Sequence, residues 1–335
     1  MLTCKEEDRG YKVYYCSKCD EYHFCYFGCN SRLCSCCGKR HSDNWANKLA
    51  NQTFDVPHKH FTMTLPDLLW EPIKENRSSL KVLMDSAIET IKEFYEKIFG
   101  RDINPGCIVV LHPFGRDLCF KPHIHIIATK GGFDNNGEFH EWTQFIPYKI
   151  LHKKWMAIVC KNLKTHFQNT QDFTELFRLI WALYRDTGFV VDVCKRTLKN
   201  KKQLAKYIAR YVRHPAIANG RIVSFDDKEV HFFYVSHKTK KRIDVYMPID
   251  LFIFAIVQHV PEKQFKMIRY YGAYSRNQKK KYKKYLKSSI RQTQLTYFTK
   301  QKDVLCPKCN QPMEFIWYQK KGPPSDGLTL LDFMK

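Results

Sequence analysis

The chain has 335 residues and carries 56 Lys and Arg against 33 Asp and Glu, a formal charge of +23. That length allows one main domain with small appendages rather than two full-sized domains. The charge points to a polyanionic partner, nucleic acid first, because each neutralised phosphate releases condensed counterions, and the 15% aromatic content adds rings on which unpaired bases can stack.

The first segment, to about Lys39, is dense in Cys and too small for a core of its own, so it is expected to be organised by metal. A helix is predicted from Ser42 to Ala50, then an alternating strand at Phe61-Thr62-Met63-Thr64-Leu65 that Pro66 ends. Leu80, Leu83, Ala87, Ile88, Ile91, Tyr95 and Ile98 recur at helical spacing, predicting a helix over Ile73 to Phe99 that stops at Gly100. Cys107 to His112 and His123 to Thr129 read as two strands joined by a loop containing Gly115. Tyr148 to Tyr184 reads as helical with a break near Gln168 to Asp172, followed by a strand at Phe189 to Cys194 and a helix over about Lys202 to Val212. Three strands at Arg221 to Phe225, Glu229 to Val235 and Arg242 to Tyr246 suggest a meander, with a helix after Pro248. Arg276 to Arg291 is rich in Lys and Arg, has no acid, and is predicted as a DNA-contacting helix. The pattern is α+β, divided into a zinc module over 1–50, a core over 51–275 and a tail over 276–335.

No secretory leader opens the chain, and the longest apolar runs, such as Leu251 to Val257, fall far short of the roughly 20 residues of a membrane span. A cytosolic protein without a membrane partner is expected, in which the 14 cysteines are metal ligands or buried thiols rather than disulfides. Cys16-x-x-Cys19 and Cys34-x-x-Cys37 have zinc spacing, since a two-residue gap lets both thiolates of a turn reach one ion. The simplest Zn²⁺ site is Cys16, Cys19, Cys34 and Cys37, with Cys29, His23 and Cys4 as substitutes or as part of a second site. Cys306-x-x-Cys309 supplies half a tetrahedron whose other half is not visible in sequence, so the pair reads equally as two unligated thiols.

Pro122-His123-Ile124-His125 places two imidazoles on one face of a strand, where they can share a cation while Ile124 faces the core. His112, or alternatively Asp117, offers a third ligand. Lys206-Tyr207-Ile208-Ala209-Arg210-Tyr211 sets two phenols four apart on one helix face, with Lys206, Arg210 and Arg213 around them to bind phosphate.

In this order the motifs resemble those of the HUH endonucleases, and more closely the two-tyrosine transposases of rolling-circle insertion sequences that carry an N-terminal zinc-binding domain. The resemblance runs through the two Cys pairs, Pro57-His58-Lys59-His60-Phe61-Thr62-Met63-Thr64-Leu65-Pro66, Leu111-His112-Pro113-Phe114-Gly115, Pro122-His123-Ile124-His125, Tyr207 to Val212, Arg269-Tyr270-Tyr271-Gly272 and the Cys306 knuckle. One departure is Ser35-Cys36, where that family commonly has a proline between the last cysteines. The resemblance implies a nuclease core with a central antiparallel sheet flanked by helices. It also implies Mg²⁺ or Mn²⁺ on His123 and His125, Tyr207 and Tyr211 as nucleophiles, and 5′-phosphotyrosine intermediates. The implied substrate is single-stranded DNA at element ends with hairpins, in a prokaryotic, nucleoid-associated protein. Lys280, Lys283 and Lys284 would touch flanking DNA, and a host helicase would supply unwinding, since no Gly-x-x-x-x-Gly-Lys-Ser/Thr string occurs. A non-catalytic zinc protein that binds nucleic acid and a replication initiator of the same chemistry are the alternatives.

Overall fold

The computed structural model of the chain describes residues 4–31, 34–100, 102–143, 147–168, 171–198, 203, 216–236, 239–286 and 304–320. In chain order the first elements are β1 (Gly10–Cys16), β2 (Glu21–Tyr26), α1 (Ser35–Gln52), β3 (His58–Met63), α2 (Trp70–Glu75) and α3 (Ser79–Phe99). Next come β4 (Gly106–Phe114), β5 (Phe120–Thr129), β6 (Gly131–Phe133), β7 (Phe139–Glu141), α4 (Tyr148–His166), α5 (Gln171–Tyr184) and β8 (Val191–Val193). The last are β9 (Ile222–Phe225), β10 (Glu229–Val235), β11 (Arg242–Pro248), α6 (Ile249–Gln258), β12 (Ile268–Gly272) and β13 (Glu314–Lys320). The helix predicted over about Lys202 to Val212, with Tyr207, Tyr211, Lys206 and Arg210, lies outside the described residues, as does Arg213.

Two units are present, Met1–His41 with Ser288–Lys335, and Ser42–Lys287. The larger is built on a five-stranded sheet in the order β12-β4-β5-β3-β8, antiparallel at every pairing. Side chains alternate across it. Phe61, Met63, Val109, Leu111, Ile124, Ile126 and Val191 pack on one face against α3 and α4, whose Leu83, Ala87, Ile91, Trp155 and Val159 are buried with them. The α3 stripe follows the 3.6-residue period that predicted it, and Gly100 ends the helix in the left-handed region at φ 63°, its N–H returning to the Glu96 carbonyl. The single helix expected over Ile73 to Phe99 is divided at Asn76, where ψ is 81°. There Ser79 Oγ donates to the Asn76 carbonyl at 2.5 Å, the kind of local side-chain bond that competes with a helix interior.

On the opposite face Ile108, Val110 and Ile127 join Phe54, Phe133, Tyr274 and Tyr282 in a second apolar cluster. This changes the reading of the basic segment. Its described part is a 3₁₀ turn, Lys279–Tyr285, in which residues three apart share a side. Tyr282 is accordingly buried with its ring stacked 4.2 Å from Phe133, and the Tyr285 hydroxyl accepts the Phe139 N–H at 3.0 Å. Lys280, Lys283 and Lys284 remain exposed, the last paired with Glu138.

The predicted meander forms as a three-stranded sheet, β11-β10-β9, with α6 starting after Pro248. In the smaller unit the sheet order is β13-β1-β2. Among the described residues no helix is long and apolar enough to cross a membrane.

Candidate functional site

The face of the central sheet turned away from α3 and α4 carries the histidines. Register explains how. On β5, His123 and His125 alternate with buried Ile124 and Ile126; His123 stands opposite His112 of β4, and His125 stands opposite Thr62 of β3. The ring centroids of His112 and His125 lie 4.5 Å apart and those of His123 and His125 5.0 Å apart. One ring nitrogen from each of the three falls within 4.8 Å of the others, a donor set suited to one metal ion. His112 therefore joins the predicted pair. Asp117 does not: its carboxylate pairs with Lys121 and accepts the Cys119 N–H at 3.3 Å.

Burial disfavours the charged form of His123 and His125. His125 is driven far below the ordinary imidazole range, first by desolvation and then by the neighbouring His112, His123 and His60. Desolvation likewise lowers His123, and the half-buried His123 ring gives its Nδ1–H to the Lys121 carbonyl at 2.8 Å. An uncharged imidazole with one nitrogen hydrogen-bonded offers the other as a metal ligand.

Behind His125 sits His60, which sequence reasoning quoted but gave no role. Its Nε2 lies 2.8 Å from His125 Nδ1 with the rings stacked, Thr62 Oγ1 lies 3.3 Å from the same nitrogen, and desolvation pushes His60 down to about 4. Alternation puts His60, Thr62 and Thr64 on one strand face, but only the β3–β5 register brings that face to His125. Thr64 instead donates to the Val190 carbonyl.

The smaller unit holds two four-cysteine groups. Cys4, Cys29, Cys34 and Cys37 converge with Sγ–Sγ separations of 3.4 Å for Cys4–Cys34, 3.7 Å for Cys4–Cys37 and 3.9 Å for Cys29–Cys37. Cys34 and Cys37 sit at the start of α1, where the Gly38 N–H returns to the Cys34 carbonyl at 2.7 Å. The second group is Cys16, Cys19, Cys306 and Cys309. Cys16, Cys19, Cys34 and Cys37, the simplest set read from sequence, thus do not form one group: Cys34 and Cys37 meet Cys4 and Cys29, whereas Cys16 and Cys19 meet the distant knuckle that the pairing of β13 with β1 brings beside them. His23 lies on β2 opposite Tyr14 and belongs to neither group.

An antiparallel sheet with a three-imidazole cluster on one face, accompanied by a cysteine-rich module, defines a strongly basic α+β protein with candidate metal sites. Residues 106–281, spanning β4, β5 and both Tyr207 and Tyr211, match a family model described as "Putative transposase". Residues 1–65 match one described as "Transposase zinc-binding domain". The chain belongs to this family of transposases, enzymes that act on DNA. It is 29% identical over 289 residues to "Transposase for insertion sequence element IS801" of Pseudomonas savastanoi pv. phaseolicola, covering 81% of this chain and 68% of that one. It is 26% identical over 288 residues to "Putative transposase y4qJ" of Sinorhizobium fredii, covering 80% and 71%. No solved structure matches.

Proposed function

We propose that this transposase nicks and rejoins single-stranded DNA by transesterification, with Tyr207 and Tyr211 as nucleophiles beside a Mg²⁺ or Mn²⁺ ion on His112, His123 and His125. The convergence of His112, His123 and His125 on one sheet face carries this reading, with burial disfavouring the charged form of His123 and His125. Bound there, the ion would polarise a non-bridging phosphate oxygen and orient the phosphate for in-line attack. His123 would ligate through Nε2, since its Nδ1 serves the Lys121 carbonyl. His60 and Thr62 would hold the His125 ring in place.

A deprotonated tyrosine attacks phosphorus, forming a tyrosyl O–P bond and breaking the P–O3′ bond, so that the leaving strand ends in a 3′-hydroxyl that takes up a proton. The 5′-phosphotyrosine link keeps the phosphodiester energy, and attack by another 3′-hydroxyl reseals DNA without ATP. A second tyrosine permits a second cut while the first is occupied. Lys206, Arg210 and Arg213 would bind phosphates around them, and exposed Lys280, Lys283 and Lys284 would follow the flanking backbone, including hairpins at element ends. A host helicase would supply the single strand. Cys4, Cys29, Cys34 and Cys37 would hold a structural Zn²⁺ ion.

The test is incubation with single-stranded oligonucleotides from element ends and Mn²⁺. A covalent protein–DNA adduct is expected, lost in Tyr207→Phe combined with Tyr211→Phe. Binding without an adduct would instead support a non-catalytic protein.

A further inference from the structure

The two Cys-x-x-Cys turns of the second cysteine group are built alike. In one, Cys16 pairs with Glu21 across the turn and Asp20 takes a left-handed φ of 51°. In the other, the Cys306 N–H donates to the Gln311 carbonyl at 2.9 Å and Asn310 takes φ 56°. Asp and Asn are among the few residues with side chains that tolerate this backbone. In each turn two backbone N–H groups aim at the leading sulfur: those of Lys18 and Cys19 at Cys16, and those of Lys308 and Cys309 at Cys306.

Antiparallel pairing of β13 on β1, with Tyr15 opposite Glu314, lays the two turns side by side. Cys16 Sγ and Cys309 Sγ come within 3.6 Å, and all four sulfurs lie within 4.8 Å of one another. Four thiolates about 2.3 Å from one zinc ion stand roughly 3.8 Å from each other at the corners of a tetrahedron. A disulfide would need about 2.05 Å. Cys16 and Cys306 are buried, with Tyr14 and Met313 packed around them.

We propose that Cys16, Cys19, Cys306 and Cys309 bind a second zinc ion, which joins segments 293 residues apart in sequence into one module. The matched zinc-binding stretch, 1–65, contains every ligand of the first cluster but only half of this one. The core is in consequence inserted between the two halves of a zinc module, whose second site forms only after Cys309 has been synthesised. This inference is independent of the tyrosine chemistry.

Metal analysis of the full-length protein tests it. Two zinc ions per chain are expected in the wild type, one in Cys306→Ser combined with Cys309→Ser, and one in Cys34→Ser combined with Cys37→Ser. One zinc in the wild type, or two in the Cys306/Cys309 variant, overturns it. Because that variant can fail to fold, alkylation of the wild type with N-ethylmaleimide, mapped by mass spectrometry, gives a second readout. Cys16, Cys19, Cys306 and Cys309 should resist together while zinc is bound and react together once it is chelated, whereas exposed Cys36 and Cys119 react throughout. Alkylation of Cys306 and Cys309 in zinc-loaded protein, with Cys16 and Cys19 still protected, also overturns it.

Discussion

His125 is the most enclosed of the three imidazoles and the one with most neighbours: His60 and Thr62 on one side, His112 and His123 on the other. A group that fixes the ring of a metal-ligating histidine typically contributes 10- to 100-fold in metal affinity or activity. His60→Ala is therefore expected to lower Mn²⁺ affinity and cleavage by about that range, with the far-ultraviolet dichroism unchanged. Wild-type cleavage at limiting Mn²⁺ would contradict the role given to His60. His58 plays a different part on the same strand. Its Nε2 accepts from the Tyr274 hydroxyl at 2.7 Å, that hydroxyl accepts the Phe54 N–H at 2.9 Å, and the Val56 carbonyl takes the other ring proton. Complete burial pushes His58 down to about 4. The unfolded chain binds this proton below an ordinary value of about 6.5 and the folded chain does not until about pH 4. The stability it contributes is thus full above pH 6.5 and falls by about 3 kcal/mol as pH drops from 6.5 to 4. In urea titrations at pH 7.5 and 4.5, His58→Gln should flatten part of that loss; an unchanged slope would count against it. The pairing of His123 with His125 was legible from alternation alone, whereas the place of His60 depends on the β3–β5 register, which no local pattern encodes.

At the scale of elements, β5 separates stability from chemistry residue by residue. Ile126 is wholly buried between the sheet and its helices, so Ile126→Ala should cost about 2–5 kcal/mol in chemical denaturation. His123→Ala, one strand face over and half-buried, should leave the denaturation midpoint close to the wild type and abolish adduct formation. Equal stability losses for the two would mean that the face assignment is wrong. The long amphipathic helices and the two strands flanking Gly115 were readable because each carries its own period. β1, β2 and β13 were not, for they are short strands rich in Tyr, Lys and Cys, and β13 finds its partner some 300 residues away by numbering. In the basic segment the packing of buried Tyr282 and half-buried Tyr285 beside Phe133 comes from tertiary structure, to which composition is blind.

For the whole molecule, the charge of +23 legible from the first count governs how DNA is held. Binding to single strands should weaken steeply with salt, and replacing Lys280, Lys283 and Lys284 together by Gln should reduce the log–log salt slope by about 2, at roughly 0.7 per phosphate contact on a single strand. An unchanged slope in fluorescence anisotropy titrations would remove these lysines from the interface. The discontinuous zinc module, in contrast, was hidden, since Cys spacing identifies half-sites and only strand pairing says which halves meet. The central claim remains the tyrosine chemistry at the histidine cluster. Its most direct test is to form the adduct on an element-end oligonucleotide, digest it, and locate the linked residue by mass spectrometry. The account predicts a 5′-phosphate on Tyr207 or Tyr211, formed only with Mg²⁺ or Mn²⁺ and absent from His125→Ala; a link to any other residue, or an adduct formed equally well by His125→Ala, would contradict it.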